Sequence, residues 1–176
     1  MGAILAALIA VSGALIVGYI TNFVAEDFRR FRDGTAVAAS LAGELSSHFK
    51  AVPALREGLQ GRIKRIEDKA ERFPFPEIDT PTDPLFDSIV DKLGLLESEM
   101  VEDMVYTYQQ IRAFRVSVKI VGQGHAVMTD VVLLGQLRLA LHSIDLAVER
   151  GVPLLDALRN RTRKTYEAPK PWLWYR

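Results

Sequence analysis

The sequence predicts an all-α protein, a single N-terminal transmembrane helix followed by a helical bundle of about five or six helices. Three observations carry that prediction. Residues 3–25 contain no charged side chain. Beyond them, apolar residues recur at spacings of three and four, the period of a helix that buries one face. The one stretch that alternates like a strand, Val116 to Val121, finds no partner strand elsewhere in the sequence, so it too reads as helix.

The first element, AILAALIAVSGALIVGYITNFVA, ends just before Glu26, the first charged residue. At ~1.5 Å per residue it spans ~35 Å, enough to cross a hydrocarbon core of ~30 Å. A cleaved signal peptide would have a basic start and an apolar core of about 7–15 residues; this stretch has neither. Arg29, Arg30 and Arg32 follow it closely and no Lys or Arg precedes it. Excess positive charge marks the cytoplasmic side, so the amino terminus is expected outside and the domain inside. Gly2, Ala6, Ala10, Ala14 and Gly18 recur every fourth residue, a small-residue stripe that would let a second transmembrane helix pack closely.

Residues 26–72 read as a juxtamembrane helical arm. Phe28, Phe31, Thr35, Ala38, Ala42, Leu45, Phe49 and Val52 form a heptad-like seam, and the helix they define is expected to reach Val52, either as a separate helix or in one piece with the span. Pro53 is expected to kink it or to open a new helix. That next helix is amphipathic, with Leu55, Leu59, Ile63, Ile66 and Ala70 on one face. Residues 73–84 hold Pro74, Pro76, Pro81 and Pro84 and read as a linker.

Residues 85–168 form a distal helical region. Asp83 and Pro84 are an N-cap and first-turn pair, and a short helix with Leu85, Phe86, Ile89, Val90 and Leu93 would end on Gly94 as a left-handed cap. Glu97, Glu99, Glu102 and Asp103 open a longer helix, with Val101, Met104, Val105, Tyr108, Ile111 and Val118 as its core face, interrupted by Arg112 and Arg115. Gly122 and Gly124 mark a turn. The next helix buries Val127, Val131, Leu134, Leu137, Leu141, Ile144 and Val148 and is expected to end at Gly151, with Pro153 starting a last one. Residues 169–176 are an aromatic and basic tail.

The run VDKLGLLESEMVEDMVYTYQQIRAF at 90–114 and LAGELSSH at 41–48, following an N-terminal span, resemble an uncharacterised family of small bacterial membrane-anchored proteins with a helical cytoplasmic domain. The resemblance implies a helical fold and a bacterial setting, and with the span and its flanking charge the expected location is the bacterial inner membrane. It transfers no activity and no functional residue.

Signals for chemistry are sparse. The chain has no cysteine, which removes thiolate metal sites and cysteine nucleophiles. Gly122-Gln-Gly124 lacks the third glycine and the preceding strand of a dinucleotide loop, and no phosphate-binding loop or serine-hydrolase elbow occurs. No catalytic, metal-binding or cofactor-binding residue is assigned, and no cofactor is expected. Formal charge is zero, yet 73–104 carries one basic and nine acidic residues and 151–176 six basic and two acidic. Basic and acidic residues alternate through Arg62 to Glu71, an exposed ion-pair face rather than a nucleic-acid patch. The tail, with Arg163, Lys164, Lys170, Trp172, Trp174, Tyr175 and Arg176, suits either lipid headgroups or a protein partner.

The function expected from these surfaces is that of a membrane-anchored, non-enzymatic scaffold or accessory subunit whose partners are the bilayer and another protein or a second copy. The alternative is a membrane-tethered ligand sensor or enzyme using polar groups between helices, such as Glu44, His48, Arg112 and Arg115. A membrane-acting effector is the third reading.

Overall fold

A computed structural model of the chain describes residues 1–70, 75 and 82–168. Most of the remaining linker and the whole of the tail from 169 lie outside the described residues. The described part is all-helical. Helix α1 (Gly2–Tyr19) passes through one π-helical turn (Ile20–Val24) into α2 (Ala25–Glu67), so that Gly2–Glu67 is one continuous helix of 66 residues. A short α3 (Pro84–Ile89) runs into a 3-10 turn (Val90–Leu95), and α4 (Ser98–Gly124) and α5 (Asp130–Arg163) follow.

The elements are fewer and longer than the expected five or six, because two prolines and a glycine are carried inside helices. Pro53 lies within α2 and Pro153 within α5. A helix-interior proline costs a hydrogen bond, but both helices bury apolar residues on either side of it: Val52 and Leu59 in α2, Ala147 and Leu154 in α5. Gly151 does not end its helix. A Cβ there would stand 2.2 Å from the Phe49 ring and 2.9 Å from the Thr107 methyl, so the glycine is where α5 lets α2 and α4 approach. Gly94 is not a left-handed cap either, since no described glycine has a positive φ.

Helix α5 runs antiparallel to α2 and α4 and lies against both. Cross-helix pairs fix the register: Arg138 with Glu67, Arg56 with Asp145, and Arg161 with Thr35. Two apolar cores result. The one nearer α1 gathers Leu41, Leu45, Met104, Tyr108, Leu154 and Leu158, and the distal one Leu59, Val121, Leu133, Leu137 and Ala140. The buried face of α5 is rotated from the expected one. Leu137 and Ile144 are buried as expected, but Val127, in the turn before α5, and Val131 are 89% and 80% exposed, and Leu133, Ala140 and Ala147 are buried as well. Val105 of α4 is also exposed. Small residues set this rotation: Ala140, Ser143, Ala147 and Gly151 are the buried positions of α5 that allow close helix approach.

Candidate functional site

Beside the core nearer α1, to which Phe86 and Tyr108 belong, the fold places a polar cluster assembled from α2, α3 and α4. Asp83, at the N-cap of α3, makes no capping bond with its side chain. It is 2% exposed and turns its carboxylate toward the two arginines that interrupt the apolar face of α4. Arg115 Nη1 donates to Asp83 Oδ1 at 2.7 Å and Arg112 Nε to Oδ2 at 3.3 Å. Arg112 also donates to Asp87 Oδ1 at 2.5 Å. His48 Nε2 lies 3.3 Å from Asp83 Oδ1 and makes no well-formed hydrogen bond among the described residues.

One helical turn before His48, Glu44 supplies the second buried carboxylate, 8% exposed. The first backbone N–H groups of α3 donate to it, Leu85 to Oε1 at 3.1 Å and Phe86 to Oε2 at 3.0 Å. These are groups a helix start leaves unpaired and a carboxylate satisfies. The Tyr108 hydroxyl donates to Oε2 at 2.7 Å, and its ring stacks on Phe86 with centroids 4.0 Å apart. The cluster therefore ties the short α3 to both long helices.

The environment shifts two of these groups. Burial, with the Arg115 charge adding to it, lowers the His48 pKa against the opposing pull of Asp83 and Glu44, so its imidazole is neutral near pH 7. Burial and then the bond to Glu44 push the Tyr108 hydroxyl far up, leaving it a permanent donor. Beside the cluster lies a largely apolar cleft of about 270 Å³ between α2 and α4, reached by His48, Phe49, Leu55, Phe114, Arg115 and Val118.

Glu44, His48, Arg112 and Arg115 are thus brought together. Asp83, which joins His48, Arg112 and Arg115, was legible in the sequence only as a cap, and Tyr108, which holds Glu44, only as core. The signal for Asp83 is the cation pair itself: Arg112 and Arg115, three apart, interrupt the apolar face of α4, and a guanidinium drawn largely out of water, as that of Arg115 is, calls for a carboxylate.

The other expected contact residues fall in three places. Gly2, Ala6, Ala10 and Ala14 are exposed on α1, with Gly18 partly covered. Of the seam, Ala38, Ala42 and Leu45 are buried against α4 and α5 with Phe49 packed on them, while Phe28 is exposed and Phe31 half-buried. Both of those rings meet Tyr166, beyond the end of α5. Arg163 and Lys164 close α5, Lys164 donating to Glu97 at 3.1 Å. Lys170, Trp172, Trp174, Tyr175 and Arg176 lie outside the described residues.

No protein-family model matches the chain, and no curated protein or solved structure matches it significantly.

Proposed function

We propose that the protein is a membrane-anchored, non-enzymatic scaffold or accessory subunit of a bacterial membrane complex, with its amino terminus outside and the α2–α5 domain in the cytoplasm. The observation that carries this reading is the helix Gly2–Glu67. Its apolar segment is long enough to cross a membrane and wholly unburied by the rest of the chain, and it continues without a break into the core of the domain. Asp130–Arg163 is also long and apolar enough to cross a membrane, but it packs along both α2 and α4 and buries one face in the bundle. The arginines after α1 support the orientation, and the resemblance of 41–48 and 90–114 supports the bacterial setting.

The scaffold reading rests further on the state of the polar cluster. Glu44 and Asp83 each have both carboxylate oxygens engaged by donors, which leaves neither poised as a general base. The exposed small-residue stripe on α1 and the aromatic, basic tail are surfaces for a membrane helix and for lipid or protein. The sensor reading keeps one specific support, the apolar cleft beside His48 and Arg115.

Affinity purification of the full chain in mild detergent tests the choice. A stoichiometric protein partner, weakened by Ala10→Leu with Ala14→Leu, is the expected result. Recovery of a lone protein carrying a small molecule would reverse the order of the two readings.

A further inference from the structure

The fold buries three charged side chains among the described residues: Glu44, Asp83 and Arg161. The charge of Arg161 is the least well met. Its Nη1 lies 3.4 Å from Thr35 Oγ1, its Nε is 3.9 Å from Glu97, and its guanidinium sits 4.5 Å over the Phe31 ring. Glu97 is shared with Lys164. A guanidinium carries five N–H donors, and burying one with so little hydrogen bonding is costly. The room for it is built in: a Cβ on Gly34 would come within 3.3 Å of Arg161 Nη2 and 2.8 Å of the Leu95 carbonyl oxygen.

Arg161 faces a cleft of about 250 Å³ whose rim includes Asp27, Arg30, Phe31, Tyr166 and Glu167. Arg30 has no hydrogen bond or ion pair to any described residue. Tyr166 closes the cleft toward α1: its hydroxyl donates to the Val24 carbonyl at 3.3 Å, and its ring stands edge-on to Phe28. The chain leaving α5 is thereby held at the α1–α2 junction. Asp27 to Arg30 lie two to five residues past Ala25, or ~3–8 Å along the helix axis, and the headgroup layer beyond the hydrocarbon core is ~5–8 Å deep. With α1 in a bilayer, the cleft opens at headgroup level.

We propose that this cleft binds the headgroup of a zwitterionic phospholipid of the phosphatidylethanolamine class, with the phosphate on Arg161 and Arg30 and the ammonium on Asp27 and Glu167. The proposal rests on the membrane anchoring argued above. Two guanidiniums and two carboxylates around one cleft complement a headgroup that carries both signs, whereas an anionic phosphatidylglycerol-type headgroup would leave the carboxylates facing negative charge.

The test reconstitutes the full chain in vesicles of equal phosphatidylethanolamine and phosphatidylglycerol, extracts it in mild detergent, and counts retained lipids by native mass spectrometry. The ethanolamine lipid should be retained preferentially. Arg30→Gln, at a solvent-exposed position, should lower its retention about tenfold by removing charge-assisted hydrogen bonds. Asp27→Asn with Glu167→Gln should shift the preference toward phosphatidylglycerol. Equal retention of the two lipids, or retention unchanged in Arg30→Gln, overturns the site while leaving the anchor intact. A protein that never enters the vesicles overturns the anchor, and the site with it.

Discussion

Helices α1 and α2 are consecutive parts of one unbroken rod, yet they treat their apolar side chains in opposite ways. Ile4, Leu8, Ile9, Leu15 and Ile16 of α1 are exposed all round the helix, whereas α2 confines Val37, Leu41, Leu45 and Val52 to one buried face. A helix apolar on every side calls for an apolar medium on every side; a striped helix calls for a protein neighbour along the stripe. The change occurs within the π turn Ile20–Val24 and the charged residues that follow it. No loop separates the two regimes, so displacement or rotation of α1 would reach the domain core directly.

Reciprocal substitutions separate the two halves of the rod. Leu45→Ala removes a fully buried side chain from the core nearer α1 and should cost about 2–5 kcal/mol, read as a lower unfolding midpoint in denaturant with membrane association unchanged. Ile9→Arg should do the converse, lowering membrane insertion by about 2.5–3.5 kcal/mol in a carbonate-wash fractionation while the helical domain unfolds as before. If Ile9→Arg instead melts the domain and stays in the pellet, α1 packs on protein and the contrast collapses.

A smaller effect tests how α2 is held. Gly151→Ala places a methyl group against the Phe49 ring and the Thr107 side chain. Forcing extra volume into that crossing should cost about 1–3 kcal/mol, whereas Gly58→Ala, with open space around it, should stabilise α2 by up to ~1 kcal/mol. Opposite shifts in thermal unfolding, the larger one in Gly151→Ala, are the expected outcome. A neutral Gly151→Ala would mean that the crossing is looser than the contacts imply.

The sequence made the all-helical class legible through periodicity, and the start of α3 through Asp83-Pro84. What it concealed has a common physical origin. Pro53, Gly151 and Pro153 are local breakers, and their local cost is outweighed by apolar residues buried on both sides, which no local window contains. The buried face of α5 differs from the expected one because small residues at Ala140, Ala147 and Gly151 decide it through close approach, while the larger Val131 stays exposed. In the polar cluster, the spacing Glu44…His48 was visible as one helix face, but Asp83 meets Arg112 and Arg115 from 29 and 32 residues away. Only the folded chain brings those charges to one point.

The least intrusive test uses pH at that point, where α2 is bound to α3 and α4. The His48 pKa is lowered in the folded state, burial being the larger cause and Arg115 the next, so the unfolded chain binds the proton more readily. Stability then rises with pH wherever the unfolded state holds more protons. The contribution of His48 is intact above the unfolded histidine value of ~6.5 and is lost as pH falls from there through the depressed folded value. His48→Asn removes the titration. The difference in unfolding midpoint between wild type and His48→Asn should therefore be constant above about pH 7 and shift in favour of the variant as the solution is acidified below ~6.5. The apolar helix α1 has no titrating side chain except Tyr19 at its end, so membrane fractionation across the same range should stay flat. Parallel curves for wild type and variant would mean that His48 binds its proton equally in the folded and unfolded chain, and a shift in favour of wild type on acidification would mean that it is protonated beside Asp83 in the folded protein, an ion pair in place of a neutral ring.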